Sequence, residues 1–220
     1  MASKAASKRI ADIPLARVQL LSDFIFASAM TIMVLNFDMP SDFDISSEDD
    51  LLKYFAEQRE ALLTYAISFL LVFIYWMKHL EHFSYITKTS SGHVWLQAFF
   101  LMSLMIVPVT NTVYSTFPDH PRAGTAYCVT VIMVGLFSYL SWRYATKEHR
   151  LVDPDMDQAL INDLRHETLV EPIAASIAIL AIWFVTPALI EPIFLALPVL
   201  YAVRKKLRSR RARASEVSTT

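Results

Sequence analysis

Asp23 poses the first chemical question in this chain. It sits in an apolar run, residues 18–37, whose other clearly polar members include Gln19, Ser22 and Asn36. A carboxylate in such a setting is costly unless paired or hydrated, so it implies a partner or a task. Four side chains elsewhere could satisfy it. Arg17 precedes the run. Trp76 and His79, three residues apart, share one helical face, and Gln97 stands near the head of a later apolar run. With Ser22 they would surround the carboxylate by a guanidinium, an indole N–H, an imidazole and an amide. Two chemistries fit. One is a clamp fixing the first run against the second and third; the other is a proton-sensing relay through Asp23 and His79. The residues alone leave both open.

Other chemistries lack their signatures. No Gly-rich phosphate loop, paired-cysteine zinc spacing or His-Glu-x-x-His helix occurs. The single cysteine, Cys128, lies in an apolar run and rules out an internal disulfide or a cysteine-based metal cluster. No second histidine–carboxylate constellation supports a membrane enzyme. The expectation is therefore no enzyme, no cofactor and no fixed metal site.

The elements that must position these groups follow from composition. The 220 residues are 55% hydrophobic and 19% charged with three glycines, too apolar for an ordinary soluble domain. A helix needs about 20 mostly apolar residues to cross hydrocarbon. Six runs reach or approach that length: 18–37, 61–77 (extendable to 83), 94–117 with Pro108 as a kink, 123–142, 170–185 and 190–203. The last is short, so the final two could instead form one re-entrant hairpin. The first run has no small-residue cleavage site behind it and reads as a retained span rather than a signal peptide.

Placing both termini on one side puts seventeen of the twenty lysines and arginines there, with Lys53, Arg59 and Arg122 opposite. The positive-inside rule makes that side cytoplasmic, and an even number of crossings follows. The chain then divides into a cytoplasmic N-terminal segment (1–16), a six-span domain (17–203) and a basic cytoplasmic tail (204–220), in a multi-pass protein of the plasma membrane. Outside, 38–60 is acidic, with Asp38, Asp42 and Asp44 followed by a helix start at Ser46-Ser47-Glu48-Asp49-Asp50. That segment reads either as a solvated surface helix or as a cation-attracting vestibule. Inside, a short amphipathic helix is predicted around 156–164. The arginine- and lysine-rich tail suits anionic lipid headgroups and requires no nucleic acid.

At about 100° per residue, Ser28, Thr31, Ile32 and Leu35 fall within one arc of about 100°, and Asp23 points about 140° away from Ser28. The polar head of the first span and its mid-membrane stripe therefore serve different surfaces. Asp23 should look into the protein, toward other spans.

Arg17-Val18-Gln19-Leu20-Leu21-Ser22-Asp23 resembles the Arg-x-x-x-Phe-Ser-Asp motif that opens the first span in the transmembrane protein 175 family of potassium channels, with Leu21 in place of phenylalanine. The resemblance continues through Ser68-Phe69, Trp76-Met77-Lys78-His79, and a third span holding Gln97 and Pro108; it covers about residues 14–118. It implies a channel without the carbonyl-lined filter loop of ordinary potassium channels. Prokaryotic members of the family have one six-span repeat and assemble as homotetramers, four first helices lining the pore; eukaryotic members carry two repeats and act in endosomes and lysosomes. In relatives a bulky aliphatic residue five positions after the motif aspartate forms a dry constriction, and further pore-facing positions follow one and two turns later. Those positions are Ser28, then Thr31 and Ile32, then Leu35. Here the chain departs from the pattern, because a ring of serines holds water and cannot form a dry plug. Gln97 also stands where asparagine is usual.

The reading is an all-α membrane protein of six transmembrane helices per subunit, the first lining a central pore in a homotetramer. Its implied function is a channel for K+ and other monovalent cations, of modest selectivity, blocked at Ile32 or Leu35 with Ser28 in a wider, wet segment. The competing reading is a proton-coupled secondary transporter using Asp23, His79 and Gln97. The chain lacks the internal repeat and paired Gly/Pro-interrupted spans expected of one.

Overall fold

The computed structural model describes residues 14–34 and 47–218. Leu35 and the acidic residues Asp38, Asp42 and Asp44 lie outside them. The described chain is helical: α1 (Leu15–Met33), α2 (Glu48–Glu57), α3 (Arg59–Tyr85), α4 (Ser91–Thr116), α5 (Pro121–Thr146), α6 (Gln158–Glu167), α7 (Val170–Phe184) and α8 (Ile190–Ser218). Local chemistry sets most boundaries. Ser47 Oγ accepts from Asp50 N at 3.2 Å ahead of an acidic first turn, as the sequence predicts. Ser90 caps α4, Pro121 opens α5 at its first turn, and Asp157 caps α6. Thr186 caps the 3-10 turn Pro187–Leu189 that separates α7 from α8.

Six helical stretches among the described residues are long and apolar enough to cross a membrane: Leu15–Met33, Ala61–Tyr85, Ser91–Thr116, Pro121–His149, Gln158–Phe184 and Pro187–Arg208. Each contains or overlaps one predicted span. The differences lie at the ends. The amphipathic helix expected around 156–164 is α6, shifted toward the C-terminus, and only Thr168 and Leu169 separate it from α7. The last helix does not stop near residue 203 but runs on through the basic tail to Ser218. A change in charge does not end a helix when Arg, Lys, Leu and Ala all favour helical backbone.

The most extensive packing joins α4 to α5; α7 lies against α5, and α8 packs on α3. Gly135 of α5 lies so close to the Pro172 ring of α7 that a Cβ there would collide with it. The core gathers Leu71 and Tyr75 of α3, Phe100 and Leu104 of α4, Tyr127, Val131 and Val134 of α5, Ala175 and Ala178 of α7, and Phe194 of α8. The first span is peripheral. It packs on α3 and α4 through Phe26 and Met33, and its outward side meets no other described helix to a comparable extent.

Candidate functional site

The outward side of α1 carries the stripe singled out from the sequence. Val18, Ser22, Phe26, Ala29 and Met33 are buried, whereas Ser28, Thr31 and Ile32 are exposed on the subunit, as are Arg17, Leu21 and Phe24. The two groups alternate at helical spacing, so one face of α1 is committed to packing within the chain and the other is uncovered among the described residues. The hydroxyls on the free face differ. Thr31 Oγ1 donates to Ala27 O at 2.8 Å and so satisfies itself within the helix. Ser28 Oγ has no hydrogen-bond partner among the described residues, although most serines and threonines of the spans back-bond to their own helix. An unpartnered hydroxyl is better placed against water than against acyl chains.

Asp23 is directed the other way, as the helical geometry requires, and its Oδ1 accepts a hydrogen bond from Trp76 Nε1 at 3.0 Å. The rest of the expected cluster does not assemble around it. Ser22 Oγ donates to Val18 O at 2.9 Å rather than to the carboxylate. Arg17 is exposed and forms no ion pair with Asp23 among the described residues. The His79 ring lies 5.5 Å from Phe26 and stacks on Phe100 at 5.5 Å. Gln97 Nε2 donates to Ser141 Oγ at 2.7 Å and approaches His93 Nε2 at 3.3 Å. The physical reason is rotational. Residues three apart on a helix are offset by about 60°, so Trp76 addresses the flank of α1 while His79 turns into the aromatic gap between α1 and α4. The long Gln97 side chain reaches across to α5. Two separate contacts replace the single network: an indole–carboxylate clasp, and an amide bridge from α4 to α5. With Phe26 and Phe100 packed around the imidazole, no hydrogen bond links Asp23 to His79, and a relay through the pair loses its geometric basis.

Sequence reasoning missed the strongest polar contacts of the subunit. Lys78, one of the seventeen basic residues assigned above to the cytoplasmic side, is buried, and its Nζ donates to Glu171 Oε1 at 2.6 Å, Glu171 Oε2 at 2.8 Å and Glu167 O at 2.6 Å. All three ammonium donors are thereby used. Nearby, Arg208 of α8 bridges Glu81 of α3 and Glu167 of α6. At the opposite end Thr64 Oγ1 donates to Glu191 Oε1 at 3.0 Å, and between the two ends Ser68 bonds Asn111 and Tyr127. Thr64, Ser68, Tyr75 and Lys78 make α3 a spine whose polar groups bind α4, α5, α7 and α8. A signal was available: Glu171 and Glu191 each precede a proline at the head of an apolar run, where a carboxylate requires a partner.

The comparisons with known proteins agree with this architecture. The family described as endosomal/lysosomal potassium channel TMEM175 matches residues 17–108, beginning at Arg17. A Streptomyces collinus protein named as a potassium channel is 26% identical over 145 residues, 64% of this chain and 69% of that protein. The human endosomal/lysosomal proton channel TMEM175 is 29% identical over 98 residues, 44% of this chain and 19% of the human protein. The crystal structure of a lysosomal potassium-selective channel TMEM175 homolog from Chamaesiphon minutus superposes with a TM-score of 0.73 at 19% identity, covering 86% of this chain and 97% of that one. Residues 17–108, which carry the three motif-bearing spans, are thus similar in sequence to the TMEM175 family, and the six-helix chain is similar in fold to a single-repeat TMEM175 homolog.

Proposed function

We propose that the chain is the subunit of a potassium-permeable cation channel in which four copies of α1 surround a central pore. The observation that carries this reading is the uncovered face of α1, where the free hydroxyl of Ser28 stands in line with Thr31 and Ile32. One helix cannot enclose a path, and closed cyclic symmetry supplies the remaining walls. The relatives named as potassium channels support the permeant ion, and the basic asymmetry of the sequence supports both termini in the cytoplasm; the membrane proposed is the plasma membrane. The lysines and arginines carried on the helical extension of α8 support binding to anionic headgroups.

Selectivity comes from pore width and side-chain rings and is modest. Ile32 forms one dry ring and Leu35, beyond the described residues, another; Ser28 lines a wetter segment between Ile32 and the cytoplasm. Single-channel recording under potassium/sodium bi-ionic conditions tests this. Ile32→Asn raises unitary conductance and weakens discrimination, and Ser28→Ile lowers conductance by adding a dry ring. Unchanged unitary current and reversal potential in both variants would remove α1 from the pore.

A further inference from the structure

If Ser28 cannot plug the pore, either the cytoplasmic half of the path is open or another side chain closes it. The uncovered face of α1 supplies one. Phe24 is 64% exposed on the subunit, more than Leu20, Leu21, Ile32 or Val34 on the same helix. At about 100° per residue it lies about 40° from Ser28 and about 20° from Thr31, near the middle of the exposed arc. It stands one turn, about 6 Å, toward the N-terminal end from Ser28 and about 12 Å from Ile32 along the helix axis.

Phe24 lacks the ring contacts that its neighbour on α1 makes. Phe26, two residues on, is buried against His79 and Phe100. Among the described residues, no ring contact holds Phe24. Lipid would accept a bare phenylalanine, but its neighbours on the stripe argue against lipid. Arg17, the unpartnered Ser28 hydroxyl and Thr31 share that face, and a guanidinium and a free hydroxyl in register with Phe24 favour water on this side of the helix.

We infer that Phe24 forms an aromatic collar on the cytoplasmic side of Ser28, a dry constriction in series with Ile32 that replaces the one a serine ring cannot make. This rests on the reading of α1 as the pore helix. The collar, the wet Ser28–Thr31 segment and the Ile32 ring then alternate as dry, wet and dry. Four aromatic rings around one axis exclude water without supplying oxygen ligands, so the collar limits conductance and contributes little to the choice between potassium and sodium.

The test combines conductance with access in the full-length channel. Phe24→Ala is expected to raise unitary current at least about twofold with little change in the potassium/sodium reversal potential, and Phe24→Trp to lower it. In a Cys128→Ala background, a cationic thiol reagent applied from the cytoplasm should block Phe24→Cys channels rapidly. It should reach Ile32→Cys at least about tenfold faster once Phe24→Ala is added. If Ile32→Asn alters conductance but the Phe24 substitutions alter neither current nor access, α1 lines the pore and the collar is wrong. If Ile32→Asn and the Phe24 variants are all without effect, the pore reading fails and the collar with it. Should Phe24→Ala not assemble, Phe24→Trp and the cysteine variants carry the same decision.

Discussion

Removing Glu171 should damage this protein more than any surface substitution, and the structure says by how much. The side chains of Lys78 and Glu171 are 4% and 2% exposed, and the ammonium spends its three donors on the two carboxylate oxygens and on Glu167 O. Breaking a buried pair by deleting one partner strands the other charge and costs about 3–5 kcal/mol. For a chain of this size each kcal/mol moves a thermal midpoint by about 2–4 °C, so Glu171→Leu should lower it by roughly 6–20 °C. The double variant Lys78→Met/Glu171→Leu removes both charges, and such replacements are often neutral or stabilising. Here it still leaves the Glu167 carbonyl without its donor, a loss of about 1–3 kcal/mol, so recovery should be large but incomplete. Arg208→Ala is the contrast. Its ion pairs are roughly a quarter exposed at the arginine, and loss of a solvent-accessible pair is worth about 1 kcal/mol or less. Thermal melting of the detergent-solubilised protein, followed by size-exclusion peak height, reads all three. A Glu171→Leu midpoint within about 2 °C of the parent, on that same scale, would show that water reaches the pair. A double variant no better than the single would place the penalty in packing rather than in the stranded charge.

Two further outcomes follow from the geometry. Asp23→Ala leaves the Trp76 indole N–H without its acceptor and should cost about 1–3 kcal/mol, whereas Asp23→Asn retains an acceptor and should melt close to the parent; if Asp23→Asn assembles normally yet abolishes the pH dependence of the currents, the relay rejected above must be restored. Gly135→Ala drives a methyl into the Pro172 ring and should destabilise the α5–α7 contact by about 1–3 kcal/mol, while Gly124→Ala, which meets the mobile ends of Ile190 and Ile182, should cost less; equal melting of both variants would mean that α7 shifts freely on α5.

The helices were legible because their signals are local. Apolar run length and the Ser47 cap act within a few residues, and both lie where the sequence places them; Pro121 at a first turn and Thr186-Pro187 at a break are signals of the same local kind. The uncovered stripe of Ser28, Thr31 and Ile32 was legible for the same reason, since one helix's periodicity determines which residues share a face. Side-chain partnerships were less so. Asp23–Trp76 was among the expected contacts, but depth and residue type could not distinguish it from Asp23–His79, which requires the relative rotation of α1, α3 and α4. Lys78 illustrates the opposite error. A lysine at the end of an apolar run snorkels by default, and only the tertiary approach of α7 brings Glu171 within 2.6 Å of it.

The polar side chains of the spans therefore fall into two populations with different consequences. Several of those turned inward have partners on other helices: Asp23 with Trp76, Ser68 with Asn111 and Tyr127, Thr64 with Glu191, Lys78 with Glu171, whereas His79 Nε2, His93 Nδ1 and Gln97 Oε1 are buried without one. The partnered groups join helix to helix, and their loss should appear first as lost stability. Ser28, Thr31 and Arg17 are turned outward and take no partner from another described helix. A soluble protein would expose such residues at little cost, but in a bilayer they need water or another subunit. This is why the pore reading rests on the outward face of α1, with Ser28 in line with Thr31 and Ile32, and not on the buried pair of Lys78 and Glu171. It also separates the assays: substitutions on the inward set should shift melting before they change the current through a channel that assembles, and substitutions on the outward set should change the current before they shift melting.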